Sequence, residues 1–170
     1  MNDTSRPIAF LLGSDSDLPA LEGAFATLEQ LGVGFHVRIL SAHRTPDEAC
    51  GFAQKARDNG IRVLIGVAGM AAHLAGALAA HSNLPVLGVP VDAGPMRGED
   101  ALWSTVMMPP GIPVAATGIG SAAAKNAALM AVRILALSDS DLAARLDAMR
   151  EADRDKTLAK DRAVRERFGC

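Results

Sequence analysis

The chain is poor in aromatic residues and in net charge. Only 4% of its 170 residues are aromatic, and Tyr is absent. Proteins that bind single-stranded nucleic acid use aromatic side chains as stacking platforms, so this composition disfavours that function. The 17 basic and 19 acidic residues leave a net charge of −2, without the basic excess of a nucleic-acid-binding domain. We therefore expect no nucleic-acid partner.

Cysteines and long apolar runs are also scarce. Cys50 and Cys170 are the only cysteines, and neither lies in a Cys/His pattern, so we expect no disulfide framework and no metal site. No stretch approaches the roughly 20 apolar residues of a membrane helix, and the first residues lack the features of a signal peptide. We expect a cytoplasmic protein without membrane association. The motifs of serine hydrolases, P-loop proteins and dinucleotide-binding proteins are missing as well.

The apolar residues form short runs separated by segments with helical spacing. Ile8–Leu12 is continuous and followed by glycine, which is typical of a strand buried on both faces of a parallel sheet. Further strands are predicted at 33–40, 61–67, 85–91 and 112–117. Helices are predicted at 18–31, 46–60, 99–106 and 121–137, with another helix starting within 68–76. This alternation predicts an α/β fold, with a parallel sheet and helices on both faces.

The length fits one domain over residues 1–170. We expect a core at 7–138 and a helical arm at 139–170, where eight acidic and eight basic residues surround a sparse apolar stripe. Such a helix is either solvated and salt-bridged or packs on another subunit. The turn-rich segment 92–110 is expected to be a functional flap or a packing segment.

Two predicted loops carry polar residues at the ends of strands. After the first strand, Gly13-Ser14-Asp15-Ser16-Asp17 combines a glycine with hydroxyls and carboxylates. Hydroxyls and exposed amides can bind a phosphate, and a carboxylate can accept a hydrogen bond from a ribose hydroxyl. The alternative is that Ser16 or Asp17 only caps the following helix.

The second loop is Ser41-Ala42-His43-Arg44-Thr45-Pro46. Arg44 suits a phosphate, and His43 beside it suits proton transfer near neutral pH. Thr45 and Glu48 match a capping box with proline at the first helical position, which predicts the start of the next helix. His73 lies in a run of small residues, where a structural role is the more common one and a ligand contact or an indirect role is the alternative.

Several ordered motifs make the chain similar to the PurE family of purine-biosynthesis enzymes, over residues 8 to about 146. These motifs are the two loops above, together with Ala71-Ala72-His73-Leu74, Leu87-Gly88-Val89-Pro90-Val91, Met108-Pro109, Gly111-Ile112-Pro113-Val114 and Lys125-Asn126-Ala127-Ala128-Leu129. The resemblance implies a three-layer α/β/α sandwich of flavodoxin-like topology with an added C-terminal helix. It also implies a homo-octamer with active sites at subunit contacts, and no metal or organic cofactor.

The resemblance further implies roles for individual residues. His43 matches the catalytic proton shuttle, and the ribonucleotide contacts are expected from Ser14, Ser16, Asp17, Ser41, Arg44, Gly69, Ala71 and Leu74. His73 is a candidate for an indirect role behind these residues. Carbon dioxide, released from the N5-carboxylate of the substrate, would be held in a closed pocket until C4 of the ring attacks it.

Two reaction classes share this family, and the loop sequences resemble the class that converts N5-carboxyaminoimidazole ribonucleotide to the 4-carboxy isomer. Direct carboxylation of aminoimidazole ribonucleotide and a non-catalytic ribonucleotide-binding paralogue are the alternatives. The chain departs from the family pattern near the expected carbon dioxide pocket, at Val67, Met70, Ala75, Asp92, Ala93 and Met107.

Overall fold

A computed structural model describes residues 6–170. These residues belong to two compact units, the first ending at Ile134 and the second comprising Leu135–Cys170. The strands are β1 (Ile8–Leu12), β2 (Phe35–Ile39), β3 (Val63–Ala68), β4 (Val86–Pro90) and β5 (Ala115–Ala116). The α-helices are α1 (Glu22–Gln30), α2 (Pro46–Lys55), α3 (Leu74–Ala80), α4 (Glu99–Val106), α5 (Gly120–Ala136) and α6 (Ser140–Phe168).

The sheet is parallel throughout and has the strand order β2-β1-β3-β4-β5. This is the flavodoxin-like order, and it confirms the predicted fold class. All residues of β1 and β4 are buried, as expected for strands with helices on both faces. β1 lies between β2 and β3, so the loops that follow these three strands emerge at the same edge of the sheet.

The two faces of the sheet bury different side chains because residues alternate along a strand. On one face, Phe10 packs edge-on against Phe25 of α1 and Phe35 of β2, with ring centroids 5.3 and 5.9 Å away. On the other face, Ala9 and Leu11 belong to a cluster with residues of α2 and α3. Helices therefore cover both faces, as the sequence predicted.

Three elements differ most from the sequence predictions. The helix predicted at 46–60 ends at Lys55. The first crossover begins as a 3₁₀ helix, Asp15–Leu21, and only then continues as α1. The predicted strand at 112–117 is reduced to Ala115–Ala116. Pro113 has no backbone N–H to donate to a neighbouring strand, and the Ile112 N–H instead closes a turn onto the Pro109 carbonyl at 3.2 Å. The apolar segment 112–117 is therefore longer than the two residues that pair with β4.

The second unit contains the charged helix α6. The Asp139 side chain accepts a hydrogen bond from the Leu142 N–H at 2.9 Å at the start of this helix, and Gly169 ends it with a positive φ of 69°. Leu142 is its buried residue, whereas Val164 and Phe168 are exposed. Within residues 6–170, no helix is both long and apolar enough to cross a membrane.

Two glycines in the sheet allow close approach of neighbouring elements. A Cβ at Gly66 of β3 would lie 2.8–2.9 Å from backbone and side-chain atoms of Ala75 in α3. A Cβ at Gly88 of β4 would overlap the Thr105 methyl group of α4. These contacts set the depth at which α3 and α4 pack on the sheet.

Gly66→Ala is expected to lower the free energy of unfolding by about 1–3 kcal/mol, because the added methyl overpacks the contact between β3 and α3. Gly51→Ala is the matched control, since Gly51 lies within α2 and a Cβ there meets nothing within 4 Å. It should raise the stability by about 0.5–1 kcal/mol through helix propensity. Urea unfolding of both variants measures this, and equal shifts would contradict the packing argument.

Candidate active site

The loops after β1, β2 and β3 surround a cavity of about 390 Å³ at the carboxyl edge of the sheet. All the site residues expected from the sequence line it, namely Ser14, Ser16, Asp17, Ser41, His43, Arg44, Gly69, Ala71, His73 and Leu74. The position follows from the topology, because ligands of open α/β sheets bind where the strand order reverses beside the first strand.

The first loop is held by a capping box. The Ser14 hydroxyl accepts from the Ser16 N–H at 3.3 Å, and an Asp17 carboxylate oxygen accepts from the Ser14 N–H at 3.1 Å. The Ser16 hydroxyl donates to the Ser14 hydroxyl at 2.9 Å. The helix cap is therefore Ser14, and not Ser16 or Asp17 as the alternative interpretation had it, although Asp17 completes the capping box. The same residues also line the cavity, so capping and ligand binding do not exclude each other.

The second loop closes on itself through Ser41. Its hydroxyl accepts from the backbone N–H groups of His43 and Arg44 at 3.3 and 3.2 Å. The Thr45 hydroxyl accepts from the Ser41 N–H at 2.9 Å and makes no capping bond to α2. The predicted capping box of Thr45 and Glu48 is therefore wrong. The hydroxyl is already used to shape the loop that carries His43 and Arg44.

Arg44 joins the two loops. Its guanidinium donates a hydrogen bond to the carbonyl oxygen of Gly13, at the end of β1. This contact fixes one end of the side chain while the group lines the cavity beside Ser14. A guanidinium has five N–H donors, so others are left for an anionic ligand. The arrangement provides a positive charge and hydroxyl donors on one side of the cavity.

Asp17 is the buried charged group of this site, with only 5% of its surface exposed. Burial raises the pKa of its carboxyl above the ordinary value of 3.8, whereas the Ser14 N–H and the Arg44 guanidinium act in the opposite direction. The carboxyl is thus placed to accept hydrogen bonds within the cavity, at some cost to the folded state when it is ionised.

The two cavity histidines contact each other. The Nε2 of His43 lies 2.7 Å from the Nδ1 of His73, and the two rings are nearly perpendicular, at 84°. One of these nitrogens must carry the proton and the other must accept it. The contact therefore restrains the orientation of both rings and couples their tautomers, since the ring that carries the shared proton donates and the other accepts. His73 lies at the start of α3, where its backbone N–H donates a hydrogen bond to the Ala71 carbonyl at 2.9 Å.

The cavity has an apolar side beyond the expected ribonucleotide contacts, lined by Ala68, Met70 and Ala93. Ala68 was missed, although its position at the end of β3 was an available signal. Met70 and Ala93 were expected near the carbon dioxide pocket, and both line the cavity. The other departures from the family pattern do not line it, namely Val67, Ala75, Asp92 and Met107. Among residues 6–170, no group of three or more His, Cys, Asp or Glu side chains could hold a metal ion.

Asp17→Asn is expected to change the pH dependence of stability. Because the folded-state pKa is raised, the wild type loses stability as the pH rises from below 3.8 through that raised pKa, while the neutral amide does not. The stability of the variant relative to the wild type should increase over this window and then level off. Denaturant unfolding across pH measures it, with exposed Asp58→Asn as the charge control; a difference that falls with pH would contradict the burial argument.

Comparison with known proteins identifies the family of this chain. The family model described as "AIR carboxylase" matches residues 7–156. N5-carboxyaminoimidazole ribonucleotide mutase of Brucella melitensis is 51% identical over 156 residues, covering 92% of this chain and 96% of that protein. The enzyme of the same name from Escherichia coli K12 is 48% identical over 157 residues, covering 92% of each chain.

Solved structures of PurE proteins have the same fold as this chain. The crystal structure of Treponema denticola PurE superposes with a TM-score of 0.83 at 26% sequence identity, covering 92% of this chain and 97% of that one. The structure of a PurE2 variant from the same organism gives a TM-score of 0.84 at 27% identity, covering 94% and 98%. With a family match over most of its length and relatives at about half identity, the chain belongs to the AIR carboxylase family.

Proposed function

We propose that this enzyme converts N5-carboxyaminoimidazole ribonucleotide to 4-carboxyaminoimidazole ribonucleotide in purine biosynthesis. The curated relatives of this chain carry the name of that mutase. The observation that carries the proposal is the shared cavity, in which the His43 imidazole lies with Ser14 and Arg44. This substrate requires a group that transfers protons to and from its ring and a group that binds its phosphate.

The reaction needs one net proton movement. When the bond between N5 and its carboxylate carbon breaks, carbon dioxide leaves and the electron pair remains on nitrogen, which takes up a proton. C4 then attacks the carbon of carbon dioxide, and the proton on C4 must be removed. An imidazolium can supply the first proton, and the neutral imidazole that remains can accept the second, which restores the starting form. We assign this role to His43 because it is a cavity residue with a partner that orients it.

We assign the phosphate to the side of the cavity formed by Arg44, Ser14 and Ser16. The guanidinium offers charge-assisted N–H donors. The Ser14 and Ser16 hydroxyls, which here donate to Asp15 and Ser14, can rotate to donate to a bound phosphate. Asp17 is suited to accept from a ribose hydroxyl. Ser41 acts through the loop backbone, and Gly69, Ala71 and Leu74 give the apolar wall against which the base packs.

His73 is proposed as a positioning residue. Its Nδ1 lies 2.7 Å from the Nε2 of His43. This contact restrains the His43 ring, which would otherwise rotate at the cavity surface. When His73 Nδ1 carries the shared proton, the Nε2 lone pair of His43 accepts that hydrogen bond, and it becomes free to take the C4 proton only when the substrate displaces this contact. His73 therefore orients His43 in the cavity before the substrate binds.

His43→Asn is expected to reduce turnover by at least about 10²-fold, because the amide cannot exchange the proton. Affinity for aminoimidazole ribonucleotide, measured by calorimetry, should remain close to that of the wild type. His81→Asn is the control, since His81 is exposed, bonds to the Ala77 carbonyl at 2.8 Å and lies outside the cavity. Equal turnover in the wild type and His43→Asn would contradict the assignment of His43 as the proton shuttle.

The choice of substrate separates the mutase from its alternatives. Parallel absorbance assays would supply N5-carboxyaminoimidazole ribonucleotide in one and aminoimidazole ribonucleotide with bicarbonate in the other. Rapid product formation only in the first supports the mutase. Rapid formation only in the second identifies a direct carboxylase, and tight binding without turnover of either identifies a ribonucleotide-binding paralogue.

We further propose that the chain works as a homo-oligomer, with an octamer as the expected state, in the cytoplasm. The support in this chain is the exposure of three apolar residues at three- and four-residue spacing on and just after α4: Trp103 is 61% exposed, Val106 40% and Met107 75%. Single copies rarely leave such side chains together in water. A phosphorylated substrate of this kind is retained inside the cell by its charge, which supports the cytoplasmic assignment.

Trp103→Glu is expected to dissociate the oligomer, because a carboxylate would lose its hydration in the proposed contact. Light scattering after gel filtration should give a larger mass for the wild type than for the variant. The control is Leu137→Glu, at an exposed apolar residue outside α4. A monomeric wild type, or an unchanged mass in Trp103→Glu, would contradict an interface at α4.

A further inference from the structure

The backbone at Met70 adopts a conformation that side chains disfavour. Within residues 6–170, only Met70 and Arg97 combine a side chain with a positive φ, of 52° and 51°. An L-residue in this left-handed region is strained and persists only where its surroundings hold it. Met70 lines the cavity. The strain therefore lies at the site itself and calls for a physical reason.

The segment before Met70 is fixed against the loop that follows β4. The Val91 N–H donates to the Ala68 carbonyl at 3.0 Å. A Cβ at Gly69 would lie only 2.7 Å from the Ala93 Cβ, so the two backbones are in close contact. From the other side, the Ser104 hydroxyl of α4 lies 3.4 Å from the Met70 carbonyl oxygen, although its shorter hydrogen bond goes to the Asp100 carbonyl. These contacts leave Met70 little freedom to relax to a negative φ.

The strained backbone directs the Met70 side chain onto the same loop. Its Cγ and Sδ lie 3.3 and 3.6 Å from the position that a Cβ at Gly94 would occupy. Gly94 itself has a positive φ of 74°. The thioether thus packs on the backbone of a loop whose neighbouring residue, Ala93, lines the cavity. A glycine at position 70 would relieve the strain but would lose this contact.

We propose that Met70 is a positioning residue that holds the 92–94 segment against the cavity and so retains carbon dioxide between its release and its recapture. This inference rests on the proposed mutase function. Carbon dioxide is small and uncharged, so Arg44 and the hydroxyls cannot hold it as they would hold a phosphate. Retention then depends on the apolar groups of the cavity, which here are Ala68, Ala93 and the 56% exposed Met70.

The test measures how much carbon dioxide escapes during turnover. N5-carboxyaminoimidazole ribonucleotide is supplied unlabelled in buffer that contains isotopically labelled bicarbonate and carbonic anhydrase, and mass spectrometry measures the label in the 4-carboxy product. The wild type should retain the original carboxyl group. Met70→Ala and Met70→Gly should each incorporate severalfold more label and release more aminoimidazole ribonucleotide per product formed, after correction for loss without enzyme.

Two further variants separate retention from general damage. Met70→Leu keeps the apolar bulk and should incorporate as little label as the wild type. Met130→Ala removes an exposed methionine of α5, outside the cavity, and should also behave as the wild type. Met70→Gly should raise the melting temperature by about 2–4 °C relative to Met70→Ala, since only glycine relieves the backbone strain.

The outcomes distinguish the two proposals. If the wild type forms no 4-carboxy product, the mutase function is wrong. If the wild type forms product and Met70→Ala and Met70→Gly retain the carboxyl group as well as it does, the role of Met70 is wrong. Equal incorporation of label by Met70→Leu and Met70→Ala would also overturn it, because apolar bulk would then not matter.

Discussion

Strand order is the constraint on which the site depends. Since β1 lies between β2 and β3 in a parallel sheet, the loops after these strands meet at one edge although they are distant in sequence. The hydrogen bond from Arg44 to the Gly13 carbonyl joins the first two loops directly. The histidine contact, from His43 to His73, joins the second to the third. Rigid strands thus position the groups, and two hydrogen bonds align them.

The loops use their own polar groups to keep their shape. Ser41 and Thr45 satisfy backbone groups of the second loop, and Ser14 with Asp17 does the same in the first. Because these local bonds fix the backbone of each loop, the Arg44 and His43 side chains are left to join the loops and to face a ligand. The buried Asp17 shows the cost of such a site, since burial raises its pKa and penalises its ionised form.

Elements defined by local signals could be predicted from the sequence, whereas contacts between distant residues could not. β1 and α4 have the predicted bounds. β1 is an unbroken apolar segment that ends at a glycine, and α4 lies between two segments rich in glycine and proline. The Thr45 capping box failed because its hydroxyl had a competing partner in Ser41. The contact between His43 and His73 spans 30 residues, so nothing in the neighbourhood of either residue indicated it.

The central claim is that one cavity holds the phosphate at Arg44 and Ser14 while it presents C4 of the ring to His43. The most direct test is a crystal structure of the enzyme with aminoimidazole ribonucleotide bound. The account predicts the phosphate within hydrogen-bond distance of the Arg44 guanidinium, and C4 on the side of the ring that faces the His43 Nε2. A ribonucleotide bound outside this cavity, or one with its phosphate at the histidine pair, would contradict the account.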